Sequence, residues 1–251
     1  MPSRRRASRV SQDERETNRE LLALEAAVLL ALLRAEKKRD VRVFDRELET
    51  AHARARVLAR ERVAAELRFP TSAKPASPTS RVVRRIDMGD GTFREVVLTN
   101  PRVLPPLNKP ERARLRTLSR KVIAEANTRD RVAKQSASPR DAKAAARAST
   151  EAQLRTVATT ETMTAFTSER ERVAQQIARA TGVPLLKEWR ATLDVRACEK
   201  CSNLHGERVL VASRFAFGEP PLHPRCRCWV LYSVEDVSRA ELERLWERAD
   251  E

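Results

Sequence analysis

Cys198-Glu-Lys-Cys201, then His205-Gly206, then His223-Pro-Arg-Cys226-Arg-Cys228 bring all four cysteines and two of the three histidines of this chain into one short stretch. Zinc favours four thiolate or imidazole donors in a tetrahedron, and a CxxC turn supplies two of them from a single knuckle. Between Cys201 and Cys226 lie 24 residues, room for a short β excursion before a second pair of donors returns. Large apolar residues are few here, and a bound metal explains how such a segment folds, because its binding free energy becomes folding free energy. Six candidates compete for four places. Spacing makes Cys198 and Cys201 the firmest ligands and Cys226 the third; the fourth is His223 or Cys228. His223 is preferred, because Cys226 and Cys228 in an extended segment would point to opposite faces, which turns Cys228 inward beside Trp229. His205 is the weakest candidate. The competing readings are an oxidised thiol pair, or reduced thiols that only pack. With no export signal the expected compartment is reducing, which favours metal over disulfide.

Working outward, the pattern on the C-terminal side of Pro184 is strand-like: Leu193 and Val195, then Val209–Val211, then Trp229–Tyr232. Residues 183–235 are therefore expected to form a Cys/His metal-knuckle β module. Residues 236–251 follow as a helix that opens on a capping-box pair, Ser238 and Glu241. Upstream, residues 110–182 read as central helices. Asn108 and Pro110 start one that runs to about Lys134, and Ser138-Pro139 starts a second, with or without a break, that ends at Gly182. Residues 71–109 read as a linker and β-hairpin, with β-branched residues on both sides of Gly89-Asp90-Gly91. Residues 1–70 form an N-terminal helical arm: helix over 13–68, broken once near Lys37–Asp40, with Val43, Phe44, Leu48, Ala51, Ala55 and Leu58 in one stripe. The fold class is mainly α, built of long helices, with a small β-hairpin and a C-terminal α+β Cys/His metal-knuckle module.

Charge is distributed unevenly. The net charge is +15. Residues 71–150 hold 18 Lys and Arg against 7 Asp and Glu, whereas residues 151–251 hold 15 against 16. A basic block of this kind suits a polyanion, and Arg81, Arg84, Arg85, Arg112, Arg114, Arg116, Arg120 and Lys121 are the candidate contacts to double-stranded DNA, without sequence specificity. The plainer alternative is a solvated helix surface. The best apolar run, Leu21–Leu33, is interrupted by Glu25 and too short to span a membrane, which needs about 20 residues, so no membrane partner is expected. No phosphate-binding glycine loop and no HExxH spacing is present, so neither a catalytic residue nor a small-molecule substrate is expected.

The string Asp194-x-Arg196-x-Cys198-x-x-Cys201, Leu204-x-Gly206, Phe217-Gly218, Pro220-Pro221 and His223-Pro224-x-Cys226-Arg227-Cys228 resembles the C-terminal signature of the phage Mu F-like head morphogenesis proteins of tailed bacteriophages. Upstream, Arg155–Gln175 is similar to that family's helix, with Thr160-Glu161 as its Thr-Glu pair and a departure at Phe166 and Thr167. The resemblance covers about Glu151–Ser233, a third of the chain. It implies a non-enzymatic minor head protein found in the virion head, and in the host cytoplasm during assembly. It also implies partners among the portal and/or capsid proteins and contact with packaged DNA. The residues alone leave two alternatives: a zinc-knuckle nucleic-acid-binding protein outside any virion, and a metal-dependent nuclease.

Overall fold

The computed structural model describes residues 4–66, 81–87, 93–99, 107–182, 184–192 and 197–233. Two helices open it, α1 (Arg4–Lys38) and α2 (Val41–Glu66), and the break between them falls where the sequence places it. Arg39 takes a left-handed φ of 53°, which ends α1. Asp40 then accepts hydrogen bonds from the backbone N–H groups of Arg42 (2.8 Å) and Val43 (3.4 Å), satisfying donors the first turn of α2 leaves open. The hairpin follows as β1 (Arg81–Asp87) and β2 (Phe93–Thr99), antiparallel, with Val83 opposite Val97. The Gly89–Gly91 turn lies outside the described residues.

Helix α3 (Lys109–Lys134) begins on a full capping box. The Asn108 side chain accepts from Glu111 N–H, and Glu111 in return accepts from Asn108 N–H. Helix α4 (Pro139–Thr181) runs unbroken and stops at Gly182, whose φ of +68° suits a C′ glycine. Beyond it come β3 (Leu186–Arg190), a short helix α5 (Glu199–Leu204), β4 (Arg208–Leu210) and β5 (Trp229–Ser233). They form an antiparallel sheet in the order β4-β3-β5. The first strand is thus earlier than the Leu193–Val195 pattern suggests, and those two residues lie outside the described part. So does the expected helix over 236–251.

The chain divides into two compact units, one of Met1–Ala55 with Pro106–Thr162, the other of Arg56–Pro105 with Met163–Glu251. In the first unit Val28, Leu32, Phe44, Leu48, Leu115, Val122, Leu154 and Val157, drawn from four helices, share one apolar core. Phe44 and Leu48 sit at full burial on the stripe read from the sequence. Each such side chain contributes about 1.5–3 kcal/mol over its exposed state. In the second unit the core gathers Trp189, Val211, Phe215, Val230 and Tyr232 around the cysteines. Trp189 meets Phe215 edge-on, with ring centres 5.2 Å apart. Among the described residues no helix is long and apolar enough to cross a membrane.

Candidate metal centre

The β3 strand anchors the site. Trp189 donates its N–H to Glu207 O and accepts at its own carbonyl from Gly206 N–H, both at 2.9 Å. This ties the end of α5 back to the sheet. Gly206 allows the return because its φ of +85° falls where glycine alone is at ease. His205 serves the same closure: its Nδ1 accepts from Ala191 N–H at 3.1 Å. It stands apart from the Cys/His clusters, in keeping with its last place among the candidates.

Cys198 is the N-cap of α5, and its sulfur accepts from Cys201 N–H at 3.4 Å. A helical turn therefore holds the CxxC pair, and Cys201 is buried. The other donors come from the β4–β5 connection. There Cys226 N–H bonds His223 O at 3.1 Å, and Arg225 takes a left-handed φ of 61°. That turn brings His223 Nε2 to 3.2 Å from Cys198 Sγ and 3.4 Å from Cys201 Sγ, while Cys226 Sγ lies 3.8 Å from Cys201 Sγ. His223 Nδ1 sits 2.9 Å from Pro224 O, which leaves Nε2 as the donor atom for a metal.

Two triads result, Cys198–Cys201–His223 and Cys201–Cys226–Cys228, each with ligand atoms within 4.8 Å of one another, and they share Cys201. The expectation that Cys228 points away from Cys226 is overturned. Strict alternation needs an extended strand, and β5 begins only at Trp229, after the Arg225 turn. None of the four cysteines is in a disulfide.

The thiols of the cluster share protons with one another. A hydrogen bond from Cys228 leads the effects that draw Cys226 down to about 5, and the same bond pushes Cys228 up. Burial pushes Cys201 up to about 12. The Cys201 backbone N–H lowers Cys198, and a hydrogen bond with Pro224 raises His223. A cation at the centre would replace the shared protons. Zinc bonds of about 2.0–2.3 Å give tetrahedral edges of about 3.3–3.8 Å, close to the 3.2, 3.4 and 3.8 Å of three donor pairs here, and the donors group as two triads rather than as one set of four. Donor type and spacing fit a metal ion.

Residues 108–231, from the N-cap of α3 into β5, match the family model described as phage Mu protein F like protein. Through that segment the chain belongs to the phage Mu F-like family. Membership points to a structural role in phage head morphogenesis. No curated protein and no solved structure matches the chain. The Mu F-like segment begins well before the residues that carry the sequence resemblance, so it takes in α3 and the whole of α4.

Buried polar clusters centred on this Mu F-like segment escaped the sequence reading, among them those of Glu161 and Lys187. Glu161, of the Thr-Glu pair, is buried in the first unit. Its Oε2 lies 3.0 Å from His52 Nε2, and both its oxygens accept from Arg114, at 2.8 and 2.7 Å. Burial alone would raise the Glu161 carboxyl, but the bonds to His52 and Arg114 outweigh it and hold the pKa down to about 2. Spacing gave no hint of this, because the three residues come from three helices. In the second unit Lys187 is fully buried, with Nζ 3.1 Å from Glu171 and 2.7 Å from Glu219, and Tyr232 donates to Glu171 at 2.8 Å. A signal did exist here. In a strand, residues two apart share a face, so Lys187 had to follow Trp189 inward.

Of the basic residues singled out from sequence, Arg112, Arg116, Arg120 and Lys121 are exposed on α3. Arg114 is half-exposed, with its guanidinium committed to Glu161. Arg81, Arg84 and Arg85 lie on β1, opposite Thr99, Val96 and Glu95, with side chains outside the described part.

Proposed function

We propose that this chain is a minor head protein that binds one zinc ion through Cys198, Cys201, His223 and Cys226, with Cys228 as the alternative fourth ligand. On this proposal residues 183–235 act as a metal-fixed docking module for portal and/or capsid proteins. The observation that carries it is the convergence of thiols and an imidazole from two segments far apart in the chain. Zinc would supply structural cross-linking in place of a larger apolar core. Cys228, donating to Cys226, then braces a ligand rather than supplying one. Elemental analysis of protein purified under reducing conditions should find about one zinc per chain. The Cys198→Ser, Cys201→Ser double variant should lose it, and a metal-free wild-type chain with unchanged melting would remove the basis of the proposal.

Contact with packaged double-stranded DNA is assigned to Arg112, Arg116, Arg120 and Lys121 on α3, with Arg81, Arg84 and Arg85 on β1 and a lesser share for Arg114. The support is the concentration of positive charge in residues 71–150 and its exposure on α3. Such binding rests on counterion release and falls steeply with salt. Affinity as high at high salt as at low salt would remove it. No role in catalysis is proposed.

A further inference from the structure

A cleft of about 620 Å³ opens in the first unit between the start of α2 and the middle of α3, and Arg42, Arg46, Arg116 and Arg120 line it. Two of these residues were nominated from sequence; Arg42 and Arg46 were not, because they lie in a segment of mixed charge far from the basic block. All four are exposed, and among the described residues no hydrogen bond or ion pair engages their guanidinium groups. Some other arginines are committed, Arg39 to Glu36 and Asp130, Arg114 to Glu161, Arg129 to Glu125, Arg155 to Glu151; what sets the cleft apart is that four uncommitted arginines from two helices line one concavity. Asp45 and Glu49 share the lining and make no ion pair with these arginines, which leaves a surplus of two positive charges.

We propose that this cleft seats the phosphate backbone of double-stranded DNA, with Arg42 and Arg46 of α2 facing the same strand as Arg116 and Arg120 of α3. The inference rests on the DNA contact proposed above and adds its location and two residues. Within each helix the pair is spaced i, i+4, about 6 Å of rise, so both guanidinium groups lie on one face. Arg112 extends the α3 row one turn further, which makes the positive track longer than a single anion needs. Guanidinium groups pair with phosphate oxygens in a fixed, bidentate fork, and a concave site with a surplus of positive charge concentrates its counter-ion.

The test compares the full chain with Arg42→Ala, Arg46→Ala and with Arg112→Ala, Lys121→Ala, using a short labelled duplex and a salt titration. Loss of Arg42 and Arg46 should weaken binding about tenfold at low salt and lower the salt slope by about 2, one unit per lost phosphate contact. All four residues are exposed, so melting should not move. If Arg42→Ala, Arg46→Ala binds as the wild type does while Arg112→Ala, Lys121→Ala is weakened, the DNA contact stands and the cleft is eliminated. Absence of duplex binding by the wild type at low salt overturns both. Loss of polyglutamate binding in Arg42→Ala, Arg46→Ala with duplex binding unchanged would make the cleft a site for acidic protein and overturn the nucleic-acid assignment.

Discussion

Cys201 Sγ lies 3.8 Å from Cys226 Sγ and 3.4 Å from His223 Nε2, and it is the sulfur common to both triads. No other donor of the five belongs to both triads. The position of Cys201 is fixed by the α5 turn and by burial against the sheet.

Cys201→Ser should therefore be the most damaging single change at the site, abolishing metal content and lowering the melting temperature. Cys228→Ser should keep about one metal per chain on the proposed ligand set of Cys198, Cys201, His223 and Cys226. Metal analysis with melting in the presence and absence of chelator decides this. Equal metal loss in both variants would promote Cys228 to ligand.

His205→Ala removes the ring that accepts from Ala191 N–H and leaves the clusters intact. The expected cost is about 1 kcal/mol in a urea melt, the scale of one hydrogen bond, with metal content unchanged. Loss of metal in this variant would show that His205 reaches the ion.

Much of this architecture was legible. Local signals marked their own elements: the Asn108–Glu111 box, Gly182 as helix stop, and the turn chemistry between β1 and β2. Phe44 and Leu48 sat at helical spacing, and burial followed. What stayed hidden depends on where the chain returns to itself. The approach of Cys228 to Cys226 follows from a segment that is not yet strand, β5 starting only at Trp229, which no pattern of apolar residues encodes. Arg42 and Arg46 acquire their setting only from the neighbouring helix. His52 gave no sign of its Glu161 partner, because 109 residues separate them.

Lys187 is buried with two carboxylates near it, Glu171 and Glu219. Burial raises the Glu219 carboxyl, and Lys187 works against that rise. Lys187→Met would leave the acids without their cation. Removing one partner of a buried pair costs about 3–5 kcal/mol, and the lower end is expected because both acids keep some water contact. The double variant Lys187→Met, Glu219→Gln should recover part of the loss. A urea series on the three proteins measures it; additive losses would mean the pair is not coupled.

Glu161 sets an acid limit on stability. Its folded pKa of about 2 lies below the ordinary 4.5, so the charged form is favoured in the native state. The stabilisation is fully present above pH 4.5 and is lost as pH falls through that value towards 2. The size is on the order of 3 kcal/mol, with Glu161 nearly inaccessible to solvent while Arg114 is half-exposed. Glu161→Gln keeps the shape but not the charge, so it should lower stability at neutral pH and flatten the fall in acid. Chemical denaturation between pH 7 and pH 3 on both proteins tests this. Parallel curves would assign the acid sensitivity to other carboxylates, Glu169 first, since it too is held below its ordinary value: Arg172 and Arg60 outweigh the effect of its burial.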